Sequence, residues 1–155
     1  MCGTRYPTTQ KEHNKRLREW AKKKKAWAQS TSAGRYLNGM GVTQSYVMAA
    51  KLFEMSAQQG YPDAMCALGT LYHQGLGVNQ SNEQAVALFQ MAAECGHASA
   101  QCSLGFMYYR GLGVEQSNEM TREWFTKAAK QEHESALSNL TALDKSEGKT
   151  TPAFL

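Results

Sequence analysis

The sequence predicts an all-α protein, an α/α solenoid of antiparallel helix pairs with a 36-residue period. Three observations carry this. The word "GLGVNQSNE" (Gly75–Glu83) returns as "GLGVEQSNE" (Gly111–Glu119), and a looser copy, "GMGVTQS", opens at Gly39, each step being 36 residues. At that offset Ala57–Ala92 and Ala93–Ala128 agree at 17 of 36 positions, so the period extends well beyond the word itself. A fixed period of about 20–50 residues marks stacked repeats. The middle of the chain is also rich in Ala, Leu, Met, Gln and Glu, and Pro occurs only at 7, 62 and 152, which favours helices throughout.

The elements follow in order along the chain. Residues 1–10 are expected to be a flexible N-terminus. Residues 11–27 are predicted to form a basic capping helix, with Leu17, Trp20, Ala21, Lys24, Trp27 and Ala28 on one stripe. Trp20 and Trp27 would cover the open end of the first unit, leaving Lys22, Lys23 and Lys25 in water. This head is strongly charged: residues 1–25 carry nine Lys/Arg against Glu12 and Glu19, a net of +7, while the remainder carries eight against eleven acids, a net of −3.

Residues 28–144 read as the solenoid, closed by a polar C-terminal capping helix. In the first helix of a unit, Ala100, Leu104, Gly105 and Tyr108 share a face, repeating Ala64, Leu68, Gly69 and Tyr72. A mid-helix Gly costs about 1 kcal/mol against Ala, so its recurrence predicts close helix approach. Ser45, Ser81 and Ser117 are placed to N-cap the second helices, with Glu83 and Glu119 in the first turn where the dipole favours negative charge. Phe53, Phe89 and Phe125 supply the apolar stripe of those helices, and Gly60 and Gly96 their left-handed ends. The Gly-x-Gly of the repeated word falls between two helices, without the preceding strand and third Gly of a dinucleotide loop, and is read as turn chemistry. After Ala129 the register continues through Ala136 and Leu140, but Glu132 replaces the Gly and Asp144 the Tyr, as suits an end that must face water. Residues 145–155 are expected to be a disordered tail.

These residues resemble a known family. "AAECGHASAQCSLGFMYYRGLGVEQSNEMTREWFTKAA" (Ala92–Ala129) is similar to the Sel1-like repeat, a relative of the tetratricopeptide repeat, through Gly96-His97, the Ala–Leu-Gly–Tyr face and the Gly-x-Gly-Val turn. The resemblance covers Tyr36–Ala129. It implies a right-handed superhelix, first helices lining the concave surface, and adaptor function with no catalytic residues.

Other chemistries find little support. "SEGKTTP" (Ser146–Pro152) contains Gly-Lys-Thr, but Leu143 stands where a phosphate loop needs its first Gly. His97 and His133 are one period apart and read as helix-start residues, and Cys95-x-His97 has no second pair at zinc spacing. Cys2, Cys66, Cys95 and Cys102 contain no C-x-x-C pair, and free thiols are expected. No metal, cofactor or catalytic residue is predicted. No membrane span or signal pattern is found, and a cytoplasmic location is expected, with nucleus and organelles left open.

The predicted function is a non-enzymatic protein–protein interaction scaffold or adaptor, alone or in a larger complex, that binds another protein or peptide through the concave face of its helical repeats. Positions that differ between units are free to serve a partner. On the first helix of the third unit, Ser99, Ser103, Phe106 and Arg110 form a stripe beside Tyr109. None of the stripe is repeated in the preceding unit, where Asp63, Ala67, Thr70 and Gln74 stand, with His73 for Tyr109. Ser103, Phe106, Tyr109, Arg110, Thr70, His73 and Gln74 are therefore the candidate partner-binding residues. The alternative is a nucleic-acid or anionic-surface binder acting through the basic patch Lys22, Lys23, Lys24 and Lys25.

Overall fold

The computed structural model describes residues 10–22 and 25–149. They form eight α-helices: α1 (Gln10–Lys22), α2 (Ala26–Asn38), α3 (Tyr46–Ala57), α4 (Pro62–Gln74), α5 (Asn82–Glu94), α6 (Ala98–Arg110), α7 (Asn118–Ala129) and α8 (Glu134–Glu147). The starts at 26, 62, 98 and 134 are one period apart, as are those at 10, 46, 82 and 118. Three complete pairs, α2–α3, α4–α5 and α6–α7, stack into a right-handed α/α solenoid. α1 stands in the register of a second helix and α8 in that of a first helix, so each end is closed by half a unit.

The N-terminal half unit differs from the expected helix over 11–27. α1 ends at Lys22, and Trp27 and Ala28 belong to α2. Lys25 is extended (φ −81°, ψ 112°) and N-caps α2, while its N–H donates to the Trp20 carbonyl at 3.2 Å. The covering residues differ too. Leu17 and Ala21 are buried against the first unit, whereas Trp20 and Trp27 stay 37% and 44% exposed and pack on each other, ring centroids 5.1 Å apart. Residues 1–9 lie outside the described residues. At the other end α8 runs to Glu147, beyond the expected limit of 144, and Gly148 (φ 65°) stops it. Of the segment 145–155, only 150–155 lies outside the described residues.

Each letter of the repeated word has a structural task. Gly75 and Gly111 end the first helices in the left-handed conformation, returning an N–H to Leu71 and Met107. Gln44, Gln80 and Gln116 clasp the turn by donating to the carbonyls of Leu37, His73 and Tyr109 at 2.7–2.9 Å. Ser45, Ser81 and Ser117 N-cap the second helices, accepting from Met48, Gln84 and Met120 at 3.2 Å. The second Gly makes the joint between units. A Cβ on Gly77 would lie 2.3 Å from the Tyr46 carbonyl carbon, and one on Gly113 2.4 Å from that of Asn82, so the turn rests on the backbone of the preceding second helix.

Within a pair the contact is equally close. A Cβ on Gly69 would meet the Phe89 ring at 2.9 Å, and one on Gly105 the Phe125 ring at 2.7 Å, so each Gly makes the hollow that its Phe fills. Alanines at 0% exposure on both helix types, such as Ala64, Ala85, Ala92 and Ala100, bring the axes together in the main core, and Cys102, Phe125, Ala128, Ala129, Ala136 and Leu140 form a second cluster at the C-terminal end. Two buried glutamines are satisfied in kind. Gln29 and Gln101 donate to the carbonyls of Ala21 and Ala93, and accept from Gln59 and Gln131. Glu132, standing where Gly60 and Gly96 stand in earlier units, is the non-Gly residue at positive φ (60°) among those described.

Candidate functional site

The stripe on α6 lies where the packing leaves it free. Its opposite face, with Ala100, Leu104, Gly105 and Met107, is buried. Phe106 and Tyr109 remain 40% and 45% exposed, Arg110 is exposed at the C-terminus of the helix, and Ser103 is half-buried. Phe106 and Tyr109 form one wall of a groove of about 280 Å³. Asn139, Ala142, Leu143 and Ser146 of α8 form the other wall, and Phe125 also lines it. Ala142 stands one period after Phe106, and its small side chain leaves the groove open on the α8 side.

Of the predicted residues only Phe106 and Tyr109 line this groove; Ser103, Arg110 and the candidates on α4 do not. Thr70 donates its hydroxyl to the Cys66 carbonyl at 3.1 Å. His73 Nδ1 lies 2.8 Å from the Asn82 side-chain oxygen and ties α4 to the start of α5. Gln74 is exposed one unit away. Of the basic patch, Lys25 is exposed at the N-cap of α2; Lys23 and Lys24 lie outside the described residues, as does the side chain of Lys22. The α8 wall is missed when that helix is read only as a polar cap. The period carries the signal: Asn139, Ala142 and Ser146 are the stripe Ser103, Phe106 and Arg110 moved on by 36 residues.

Behind the groove, α8 is held by charge. Asp144, at the Tyr position of the repeat, is 1% exposed and bonded to Arg122 of α7, whose second nitrogen reaches Glu147 at 2.6 Å. These hydrogen bonds, that of Asp144 first, push the Arg122 guanidinium further up. Lys149 and then Arg122 hold the Glu147 carboxyl below its usual range. His97 and His133 N-cap α6 and α8, accepting on Nδ1 from Ala100 and Ala136, and His97 Nε2 also meets Asp63 at 3.0 Å.

The described cysteines Cys66, Cys95 and Cys102 are free. Burial, aided by Asp63, pushes the Cys66 thiol up to about 11, and burial also raises that of Cys102, so both are poor nucleophiles. Among the described residues no group of three or more His, Cys, Asp and Glu could hold a metal, and no helix is long and apolar enough to cross a membrane.

The comparisons with known proteins agree with this architecture. The Sel1 repeat model matches at residues 33–61, 62–97 and 98–133. A crystal structure of a protective antigen of uropathogenic Escherichia coli, displaying an SLR fold, is similar at 35% identity and TM-score 0.85. That match covers 89% of this chain but 29% of the antigen, so the chain spans less than a third of its length. A Sel1 repeat protein from Oxalobacter formigenes is similar at 34% identity and TM-score 0.75, over 83% of this chain and 96% of that one. Cysteine rich protein B of Helicobacter pylori, at 19% identity and TM-score 0.68, covering 86% of this chain and 98% of that one, shares the fold. The comparison with curated proteins gives no significant match. Three matched repeats spanning more than half of the sequence, on a solenoid whose joints use the repeat's own residues, place this chain in the Sel1 repeat family.

Proposed function

We propose that this chain is a non-catalytic scaffold that holds a segment of another protein in the groove between α6 and α8. Sel1 repeat proteins generally mediate protein–protein interaction, and their fold is generally a non-catalytic scaffold. The observation that carries the reading is the pairing of Phe106 and Tyr109, both about half exposed, along an apolar groove of about 280 Å³. Folding does not need these rings in water, and aromatic residues beside an arginine dominate interface energetics. Arg110, exposed one turn beyond Phe106 at the C-terminus of α6, suits an acidic or carbonyl-bearing neighbour of the apolar anchor.

Two variants test this. Phe106→Ala with Arg110→Ala removes one ring of the α6 wall and the exposed cation beyond it, and Ala142→Phe narrows the opening with the residue found one period earlier. Both sets of positions are exposed, so helicity by circular dichroism should match the parent. Partner binding should be weakened by each. Normal binding by both variants would dismiss the groove as the site.

A further inference from the structure

A second opening, of about 320 Å³, lies between the second helices α3 and α5. That is the low end of ligand cavities, with room for one large side chain. Ala57 of α3, Leu68 and Tyr72 of α4, and Leu88 and Met91 of α5 line it, and Glu54 is the one charged lining residue among those described. The repeat itself shows what this place accepts. One period on, Trp124 replaces Leu88 and is 8% exposed, whereas Leu88 is only partly buried. Lys127, replacing Met91, sets its ammonium 4.1 Å from the centre of that indole and pairs with Glu123 at 2.6 Å. The fold thus holds, between α5 and α7, an indole with a cation over its face and a carboxylate beside the cation. Between α3 and α5 the Leu88 and Met91 positions supply neither indole nor cation; a carboxylate lies at a different register, Glu54 of α3, beside a thioether, Met91, that is 49% exposed.

We propose that the opening between α3 and α5 is a docking socket for an aromatic side chain, tryptophan foremost, adjoining a Lys or Arg in a segment of a partner protein. The apolar lining gives the ring the burial that Trp124 obtains one unit along. Met91, unbranched and polarisable, adapts to the edge of an aromatic ring. Glu54, the one charged residue lining the opening among those described, selects the basic neighbour. This socket lies on the opposite helix type from the groove of Phe106 and Tyr109 and stands independently of it.

The test uses the full chain with 13C-labelled methionine methyl groups, titrated with acetyl-Trp-Lys-amide. The Met91 methyl resonance should shift and saturate in the millimolar range. Acetyl-Trp-Glu-amide should bind about two- to fivefold more weakly, as expected for loss of one exposed ion pair. Leu88→Trp, which copies the filled unit, should remove the response without lowering Tm. Glu54→Gln should erase the preference for Lys over Glu while keeping indole binding, and Phe106→Ala should leave the titration unchanged. An unsaturable or absent Met91 shift would overturn the proposal, as would a folded Leu88→Trp chain that binds like the parent. A Glu54→Gln chain that still prefers Lys would overturn the cation requirement.

Discussion

Substituting Gly113 by Ala isolates the joint between units. Gly113 has φ 69°, and a Cβ there would lie 2.4 Å from the Asn82 carbonyl carbon, 2.5 Å from its oxygen and 2.7 Å from the Glu83 nitrogen. Two costs combine. A left-handed L-residue costs about 1–2 kcal/mol. Overpacking costs about 1–3 kcal/mol more, and because the opposing atoms are backbone they cannot swing aside as a side chain would. Gly96 separates the two effects, since it has φ 84° but no atom within 4 Å of the place a Cβ would take. Gly96→Ala should therefore cost about 1–2 kcal/mol and Gly113→Ala about 2–5 kcal/mol. At about 2–4 °C per kcal/mol for a chain of this size, the two melting temperatures should differ by roughly 5 °C, with urea midpoints in the same order. Equal destabilisation by the two substitutions would refute the view that the second Gly of the word is an inter-unit contact.

Glu132→Gly restores the residue of Gly60 and Gly96 at φ 60° and should stabilise the fold by about 1 kcal/mol in urea unfolding. Arg122→Val, the residue type found one period earlier at Val86, leaves the Asp144 carboxylate buried without its cation. It should cost about 3 kcal/mol, most of it recovered by adding Asp144→Tyr, the residue of the inner units. Stability should also fall with acid. Glu147 and Glu83 have folded pKa values held below their usual range, by Lys149 and Arg122 for the former and by its own backbone N–H and the Ser81 hydroxyl for the latter. Their contribution is complete above the unfolded carboxylate pKa of about 4.3 and is lost as pH drops through the lowered folded values. Glu147→Gln should lower stability at neutral pH and make the acid decline shallower in urea titrations taken from pH 7 to pH 3.

The units were legible because each repeated residue answers a local requirement that sequence displays directly: an N-cap hydroxyl at Ser81, a left-handed end at Gly96, a Phe89 at helical spacing from its neighbours. Gly69 and Gly105 were readable as contacts because a costly residue recurred in register. The ends were harder. Trp20 and Trp27 fit one helical stripe, yet the chain breaks between them, since the register of α1 is set by Leu17 falling one period before Phe53. Asp144 reads as a surface residue by type, but it is buried, because Arg122, 22 residues away, neutralises it. The groove was half legible. Phe106, Tyr109 and Arg110 stood out by differing between units, while its other wall is made of Asn139, Ala142 and Ser146, small or polar residues whose importance lies in the space they leave.

The most direct test of the scaffold reading is affinity capture with the full chain, compared by quantitative mass spectrometry across three variants. These are Ala142→Phe, the double variant Phe106→Ala with Arg110→Ala, and Lys22–Lys25 changed to Gln. Substitution is needed at the head because deleting residues 1–25 would remove Leu17 and Ala21, which are buried in the solenoid. Each captured protein is then tested for direct binding in purified form. The account predicts a partner that binds the parent and the Gln-substituted chain alike and is lost from both groove variants while their helicity is unchanged. Loss of that partner on removing the lysines, with full retention by both groove variants, would contradict it.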